Sequence, residues 1–179
     1  MGTNYNIIII DEYEVINNYS YLNNRVDSIL QIINFHFSNY IDTSEISLFN
    51  NNTSTEPIAV SSELFYLVNK SKEIFILSDG NFDITINPLL KLWGFNHDFK
   101  TPMVPDSLLI DSVKQYVNTN KLTLKNQTIQ KKDPYIQINL NAIAKGYAVD
   151  KIAEYFERNG INNYMVEIGG EIRTKGSNS

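Results

Sequence analysis

The 179 residues are enough for one domain or the larger part of one. Hydrophobic residues make up 42 % of the chain and the formal net charge is −5. Because no run of Lys and Arg is present, nucleic-acid binding is not expected. The absence of cysteine excludes disulfides, thiolate metal sites and a cysteine nucleophile, and no stretch approaches the ~20 apolar residues of a membrane span. The abundant asparagines, as in NNNT (50–53), are typical of an AT-rich coding sequence, and we assign them no collective function.

The N-terminal third is predicted to contain one strand and two helices. NYNIIIID (4–11) is a short apolar strand. Apolar residues at helical spacing predict a buried helix face over 20–38. TSEISLFNN (43–51) is polar and rich in turn formers, which predicts a connection. A second helix is predicted over 61–77, with a serine cap at its start and Asp79-Gly80 at its end.

The middle of the chain mixes short elements of both kinds. FDITI (82–86) alternates and is β-branched, which predicts a strand with Asp83 inside it. Pro88 then begins a short helical turn, and Pro105-Asp106 opens a third helix to about Val117.

The last third is predicted to contain two hairpins, a strand and a long helix. KLTLKNQTIQ (121–130) is a hairpin with a polar turn, and YIQINL (135–140) alternates like a strand. Ala142 to Asn159 is the fourth helix, and NYMVEIGGEIRTKG (163–176) is two strands around paired glycines. Because strands and helices are mixed without strict alternation, the α+β class is predicted, with a largely antiparallel sheet in a single domain over residues 1–179.

INLNAIAKGYAVD (138–150) places small residues, Lys145 and Gly146 where a strand meets a helix. A helix start leaves N–H groups free and carries partial positive charge, so it attracts anions. A lysine in the first turn is unfavourable beside the partial positive charge of the helix start. An anionic ligand bound next to it would offset that repulsion. The alternative is that Gly146 permits close helix–strand packing and that Lys145 is merely solvated.

Two further polar segments are candidate sites. SDGNFDIT (78–85) has the spacing with which a calcium loop begins, but the downstream Gly and Glu are missing, so a turn with a satisfied polar position is the alternative. VEIGGEI (166–172) either brings a carboxylate near a ligand or forms a hairpin turn. Neither a G-x-S-x-G elbow nor an H-E-x-x-H motif is present, so triad hydrolases and zinc enzymes are not expected.

The order of the motifs is more specific than any one of them. Five motifs follow one another from Met1 to about Gly176. In chain order they are MGT-x-Y, S-E-I-S-x-x-N, D-G-x-F-D-I-T-x-x-P-L-x-x-L-W-G-F, N-L-x-A-I-A-K-G-Y-A-V-D and V-E-I-G-G-E-I-R. This series resembles the ApbE family, the FAD:protein FMN transferases. The resemblance implies an ApbE-like α+β fold and magnesium-dependent cleavage of FAD, with transfer of FMN to a Thr or Ser hydroxyl of an acceptor flavoprotein. Some members of the family mainly hydrolyse FAD to FMN and AMP.

The resemblance also implies roles for individual positions. The implied FAD contacts are Met1, Tyr40, Asn50, Asn81, Phe82, Asp83, Asn139 and Lys145. Ala142 matches a position that contributes a Mg²⁺ ligand, here through its backbone carbonyl. Many members have Asp where this chain has Asn139, and an amide cannot act as a general base. No catalytic residue is assigned.

The resemblance carries expectations about the whole protein. The family's other metal ligands lie beyond the position of Ser179, so we expect these residues to be the N-terminal part of a longer enzyme. As an isolated chain they should have little magnesium-dependent activity and some tendency to self-associate. The family resemblance predicts an extracytoplasmic or inner-membrane-associated protein. An FAD-binding module and an FAD pyrophosphatase without transferase activity are the alternatives.

Overall fold

A computed structural model describes residues 2–10, 19–95 and 104–177. The chain divides into two compact units, one of Met1–Asn34 with Asn141–Ser179 and one of Phe35–Leu140. The single domain over residues 1–179 stays a prediction. The elements are, in chain order, β1 (Tyr5–Ile9), α1 (Tyr19–Phe37), α2 (Glu45–Asn51), β2 (Ile58–Ala59), α3 (Ser62–Leu77), α4 (Asn87–Leu92), α5 (Ser107–Lys114), β3 (Leu122–Lys125), β4 (Thr128–Lys131), α6 (Asn141–Arg158), β5 (Tyr164–Ile168) and β6 (Glu171–Lys175).

The predicted α+β class is confirmed, and the strand pairings among the described residues are all antiparallel. The four predicted long helices correspond to α1, α3, α5 and α6, although α5 ends at Lys114 rather than near Val117. Both hairpins and the short helix around Pro88 are also confirmed. None of the described helices is long and apolar enough to cross a membrane.

The first unit is built on a sheet of order β1-β5-β6 that packs against α6. Along β5, Tyr164, Val166 and Ile168 are buried while the residues between them are partly exposed, as the two-residue period of a strand requires. The ring of Phe156 on α6 meets the ring of Tyr164 edge to face, with 5.6 Å between their centroids. Alternation in β5 therefore directs one face of the sheet onto the helix.

An ion-pair network links α6 to the same sheet. Arg173 on β6 donates from Nη1 to Asp150 Oδ1 at 2.8 Å and from Nη2 to Glu157 Oε1 at 2.9 Å. The Tyr164 hydroxyl also donates to Glu157 Oε1, at 2.6 Å. The hydrogen bond from Tyr164, followed by the one from Arg173 Nη2, lowers the pKa of the Glu157 carboxyl. The network fixes the position of β6 relative to α6.

The second unit contains a sheet of order β2-β4-β3 together with α2 to α5. The prediction that 43–51 is a connection is wrong, because this segment contains α2. Ser44 is its N-cap, with Oγ accepting a hydrogen bond from the Ser47 N–H at 3.2 Å. Ile46 and Phe49, three residues apart, face the core. A seven-residue helix is too short for its periodicity to stand out in the sequence.

Two segments of the second unit that were predicted as strands are not strands. Residues Ile84–Ile86 form a 3-10 turn with Asp83 as its N-cap, so Asp83 does not lie within a strand. Residues 136–140 are extended, and Ile136, Ile138 and Leu140 are fully buried, as their alternation predicts. None of the described strands pairs with this segment, whose hydrogen bonds go to the Asn50 side chain and to single carbonyls.

Lys131 at the end of β4 is fully buried. Its Nζ donates to the carbonyl oxygens of Phe49 at 3.2 Å, of Pro134 at 3.4 Å and of Asn52. The carbonyls at the end of a helix such as α2 have no intrahelical partner and carry partial negative charge. Burial lowers the pKa of the Lys131 ammonium, although its three donors all have acceptors.

Lys131→Met is predicted to lower the free energy of unfolding by about 1–3 kcal/mol, since it leaves buried carbonyls without donors. Urea denaturation measures the loss. The matched control is Lys132→Met, which removes the same charge from an exposed neighbouring position and should change stability by no more than about 0.5 kcal/mol. Equal effects of the two substitutions would contradict a role for Lys131 at the end of α2.

Candidate functional site

The motif residues fall into two groups, one within each unit. Asn50, Asp83 and Asn139 belong to the second unit, whereas the MGT, AKG and EIGGE motifs belong to the first. Met1, a predicted FAD contact, lies outside the described residues.

Asn50 joins α2 to the extended segment that ends at Leu140. Its Nδ2 donates to the Ile138 carbonyl at 2.8 Å, and its Oδ1 accepts from the Ile138 N–H at 2.7 Å. Nδ2 also donates to Asn39 Oδ1 at 3.1 Å. Since Asn50 is only 5 % exposed, its amide serves the protein, and it positions the residues that precede Asn139.

Asn139 connects this extended segment to the D-G-x-F-D-I-T motif. Its N–H donates to the Ile84 carbonyl at 2.7 Å. Its Nδ2 donates to Asn87 Oδ1 at 3.2 Å. Asn87 is 5 % exposed, and it was not identified from the sequence because an isolated Asn beside a proline is a common turn residue.

Asp83 is held entirely by groups of the second unit. Its Oδ1 accepts from the Thr85 N–H at 2.7 Å, the Thr85 hydroxyl at 2.6 Å and the Thr119 hydroxyl at 2.7 Å. Its Oδ2 accepts from the Thr119 N–H at 3.1 Å. Both threonines are fully buried. The alternative of a turn with a satisfied polar position therefore describes Asp83, and no sequence signal indicated Thr119 as its partner.

The other predicted contacts of the second unit lie nearer its surface. The Tyr40 side chain is 56 % exposed. Asn81 is exposed, and its Nδ2 donates to the Ser78 carbonyl at 2.7 Å. The Phe82 N–H donates to Ser78 Oγ at 3.0 Å, and its ring is partly exposed. Hydrogen bonds to Ser78 thus fix the loop that carries Asn81 and Phe82.

In the first unit, Lys145 lies beside the turn between β5 and β6. Because α6 begins at Asn141, Lys145 stands in its second turn rather than in the first as predicted. Its Nζ lies 3.4 Å from the Gly169 carbonyl oxygen. A Cβ added to Gly169 would lie 3.0 Å from Thr3 Cγ2 and Oγ1, and 3.3 Å from Lys145 Cδ. The fold therefore brings the MGT, AKG and EIGGE motifs together.

The paired-glycine turn is also held by Glu167. Its Oε1 accepts from the Gly170 N–H at 2.7 Å, and its Oε2 accepts from Asn6 Nδ2 at 2.8 Å. Both hydrogen bonds lower the pKa of the Glu167 carboxyl, and the bond from the Gly170 N–H has the larger effect. The hairpin interpretation of VEIGGEI is confirmed, and Glu167 serves the turn.

Gly146 does not have the packing role considered for it. A Cβ added to Gly146 would meet no atom within 4 Å, so close helix–strand packing does not explain this glycine. The space beside Gly146, next to Lys145 in the sequence, is open instead. Ala142, near the start of α6, is exposed.

Residues 2–10, 19–95 and 104–177 contain no group of three or more His, Cys, Asp and Glu that could hold a metal ion. Magnesium takes near-octahedral oxygen coordination, and Ala142 offers one backbone carbonyl. A magnesium ligand role for Ala142 stays a prediction.

Comparisons with known proteins agree on one family. The model of the ApbE family matches residues 1–179. The FAD:protein FMN transferase of Vibrio cholerae serotype O1 is 38 % identical over 178 residues, which cover 99 % of this chain and 53 % of the relative. The FAD:protein FMN transferase of Haemophilus influenzae is 33 % identical over 183 residues, which cover 99 % of this chain and 53 % of the relative. The chain thus spans about half the length of these curated relatives.

Solved structures give the same result. The flavin transferase ApbE from Vibrio cholerae superimposes with a TM-score of 0.94 at 39 % identity, covering 99 % of this chain and 57 % of that one. The ApbE protein from Thermotoga maritima gives a TM-score of 0.84 at 26 % identity, and the match covers 99 % of this chain and 57 % of that one.

Asp83→Ala is predicted to lower the free energy of unfolding by about 2–4 kcal/mol, because two buried threonines lose their acceptor. Asp79→Ala in the same loop should cost about 1 kcal/mol, since its backbone φ of 51° is less favourable for Ala. Urea denaturation of both variants compares them. Similar losses would mean that the hydrogen bonds of Asp83 contribute little.

Gly169→Ala is predicted to be destabilising through contact with Thr3 in addition to its φ of 55°. A double-mutant cycle with Thr3→Ala separates the two causes, because Thr3→Ala removes the atoms at 3.0 Å and leaves the backbone strain. Gly169→Ala should cost about 1 kcal/mol less in the Thr3→Ala background. Additive losses in urea denaturation would show that Thr3 does not restrict this turn.

Proposed function

We propose, because this chain belongs to the ApbE family, that it acts as an FAD:protein FMN transferase. In this reaction FAD is cleaved and FMN passes to a Thr or Ser hydroxyl of an acceptor flavoprotein. The observation that carries the proposal for these residues is the meeting of Thr3, Lys145 and Gly169 in the first unit. Three motifs that are far apart in the sequence each contribute one residue to this small region.

Lys145 is proposed to bind the diphosphate of FAD. Its distance of 3.4 Å to the Gly169 carbonyl oxygen is long for a hydrogen bond, so that contact is weak. A charge-assisted bond to a phosphate oxygen is shorter and stronger. The open space next to Gly146 gives a ligand room to approach α6. Lys145 would then orient the diphosphate and offset its negative charge.

Within the second unit, the proposal rests on the aromatic and amide side chains that the family resemblance implies. The exposed ring of Tyr40 and the partly exposed ring of Phe82 provide aromatic surface. Asn139 offers an amide and no carboxylate, so it orients the nucleotide and does not remove a proton. Asn50 and Asp83 act by holding these segments in place.

Magnesium belongs to the proposal through the family resemblance. When bound, it would neutralise charge on the phosphoryl oxygens, with the Ala142 carbonyl as one ligand. The amide at Asn139 favours an FAD-binding module as the second candidate. Release of AMP from FAD separates them, because a transferase or pyrophosphatase produces AMP and a binding module does not. An extracytoplasmic or inner-membrane location is also proposed, and cell fractionation would test it.

Calorimetry with FAD, NAD and ATP tests the binding proposal. FAD is expected to bind more tightly than either other nucleotide. Lys145→Ala should weaken FAD binding by about 10- to 100-fold, the loss of one charge-assisted hydrogen bond. The matched control is Lys151→Ala on the same helix, whose ammonium pairs with Glu154 at 2.9 Å and should leave FAD binding unchanged.

Two results would contradict these assignments. ATP binding as tight as FAD binding would count against a flavin nucleotide as the ligand. Normal FAD binding by Lys145→Ala would exclude the phosphate contact. Both lysine variants should unfold within about 0.5 kcal/mol of the parent chain, so a larger loss of stability would show that Lys145 is structural.

A further inference from the structure

The only Asn-Gly pair of the sequence, Asn159-Gly160, directly follows α6. Gly160 has a φ of 78°, the left-handed conformation in which a glycine commonly ends a helix. A Cβ added to Gly160 would meet no atom within 4 Å. The backbone conformation, and not crowding, therefore accounts for this glycine, and the way in which α6 ends places a glycine after Asn159.

An asparagine that precedes a glycine is prone to deamidation. The backbone nitrogen of the glycine attacks Cγ of the asparagine side chain, and no Cβ hinders its approach. A bond forms between that nitrogen and Cγ, the Cγ–Nδ2 bond breaks, and Nδ2 leaves as ammonia with the proton of the attacking N–H. Water then opens the cyclic imide to aspartate or to isoaspartate. Asn159 and Gly160 are both exposed, so water reaches the pair.

The folded chain holds both reacting groups with carbonyls of α6. Asn159 Nδ2 donates to the Tyr155 carbonyl oxygen at 2.7 Å. The Gly160 N–H donates to the Glu157 carbonyl oxygen at 3.2 Å. The attacking nitrogen must leave Glu157 and turn toward Cγ, and the Asn159 side chain must leave Tyr155. Both hydrogen bonds therefore break before the imide forms.

Ile161 restricts this movement from the other side of the pair. Its side chain is 1 % exposed, and its N–H donates to the Phe156 carbonyl oxygen at 3.0 Å. Rotation of the peptide between Asn159 and Gly160 displaces the chain that leads to Ile161. Exposed helix ends open at a lower free energy than buried segments do, so the end of α6 can open while the rest of the helix stays formed.

We propose that Asn159 is a deamidation site whose reaction is controlled by local opening at the end of α6. The hydrogen bonds to Tyr155 and Glu157 slow the reaction, and the buried side chain of Ile161 sets how often the end opens. The reaction does not depend on the proposed function, because none of these residues is assigned a nucleotide contact.

Deamidation should loosen the helix end that controls it. Aspartate at position 159 has no donor for the Tyr155 carbonyl, and it adds negative charge where the helix carbonyls already carry partial negative charge. Isoaspartate lengthens the main chain by one carbon just before Gly160, which displaces Ile161 relative to Phe156. Each product therefore favours the open state of this end.

The first experiment compares the full chain in buffer with the full chain unfolded in urea. Peptide mapping by mass spectrometry follows the conversion of the Asn159 amide to a carboxyl group. Deamidation should be about 10- to 100-fold slower in the folded chain, the effect of two hydrogen bonds that must break. Equal rates would overturn the proposal, because the end of α6 would then give no protection. Reaction in urea without any in buffer would also overturn it, because the end would then stay closed.

Two isoleucine substitutions separate local opening from global unfolding. Ile161→Val removes one buried methyl group after the pair and should accelerate deamidation about two- to tenfold. The matched control is Ile152→Val in the same helix, at a fully buried position about two turns before the pair. It should leave the rate within about twofold of the parent. Equal acceleration by both substitutions would show that deamidation follows global unfolding and would overturn local control.

Urea below the unfolding transition provides a second test on the parent chain, which stays decisive if either valine variant does not fold. Under local control, the rate of deamidation should rise less steeply with urea than the unfolded fraction does. A rate proportional to the unfolded fraction would overturn the proposal.

Asn159→Asp tests the effect of the aspartate product. Hydrogen exchange of the Ile161 N–H should become about tenfold faster, because the end of α6 opens more often. The Ile152 N–H within the helix is the internal control and should exchange as in the parent. Unchanged exchange at Ile161 would show that deamidation does not loosen this end.

Discussion

The pairing of the Asn50 amide with the backbone of Ile138 is the interaction on which the second unit depends. Residues 136–140 are extended, with Ile136, Ile138 and Leu140 fully buried, yet none of the described strands pairs with them. A buried peptide group without partners is costly, and the two hydrogen bonds from Asn50 supply those partners. Asn139 follows directly, so its position depends on a side chain 88 residues from Ile138 in the sequence.

Several asparagines of the second unit are hydrogen-bonded to other amide side chains. The Asn50 amide donates to Asn39 Oδ1, and the Asn139 amide donates to Asn87 Oδ1. Gln137 accepts from the Asn87 amide and donates to the backbone carbonyl of Asn50. An amide both donates and accepts, so a row of them satisfies buried polar groups without burying charge.

Each unit gathers residues that are separated along the chain. In the first, the turn at Gly169 brings Thr3 close to Lys145. In the second, Asp83 holds two buried threonines. Several of the residues implied by family resemblance thus serve to build the loops, while others, such as Tyr40 and Asn81, lie nearer the surface. Mutations at the two kinds of position should accordingly differ in their effects on stability and on binding.

The sequence by itself determined the α+β class, the long helices, both hairpins and the family, because periodicity, caps and motif order are local patterns. Tertiary structure decided that 43–51 holds a helix, that Ile84–Ile86 forms a 3-10 turn and that 135–140 pairs with none of the described strands. It also decided the partners of Asp83 and of Asn87. Those outcomes depend on hydrogen bonds between residues far apart in the chain, and no local pattern records which distant group a polar side chain will meet.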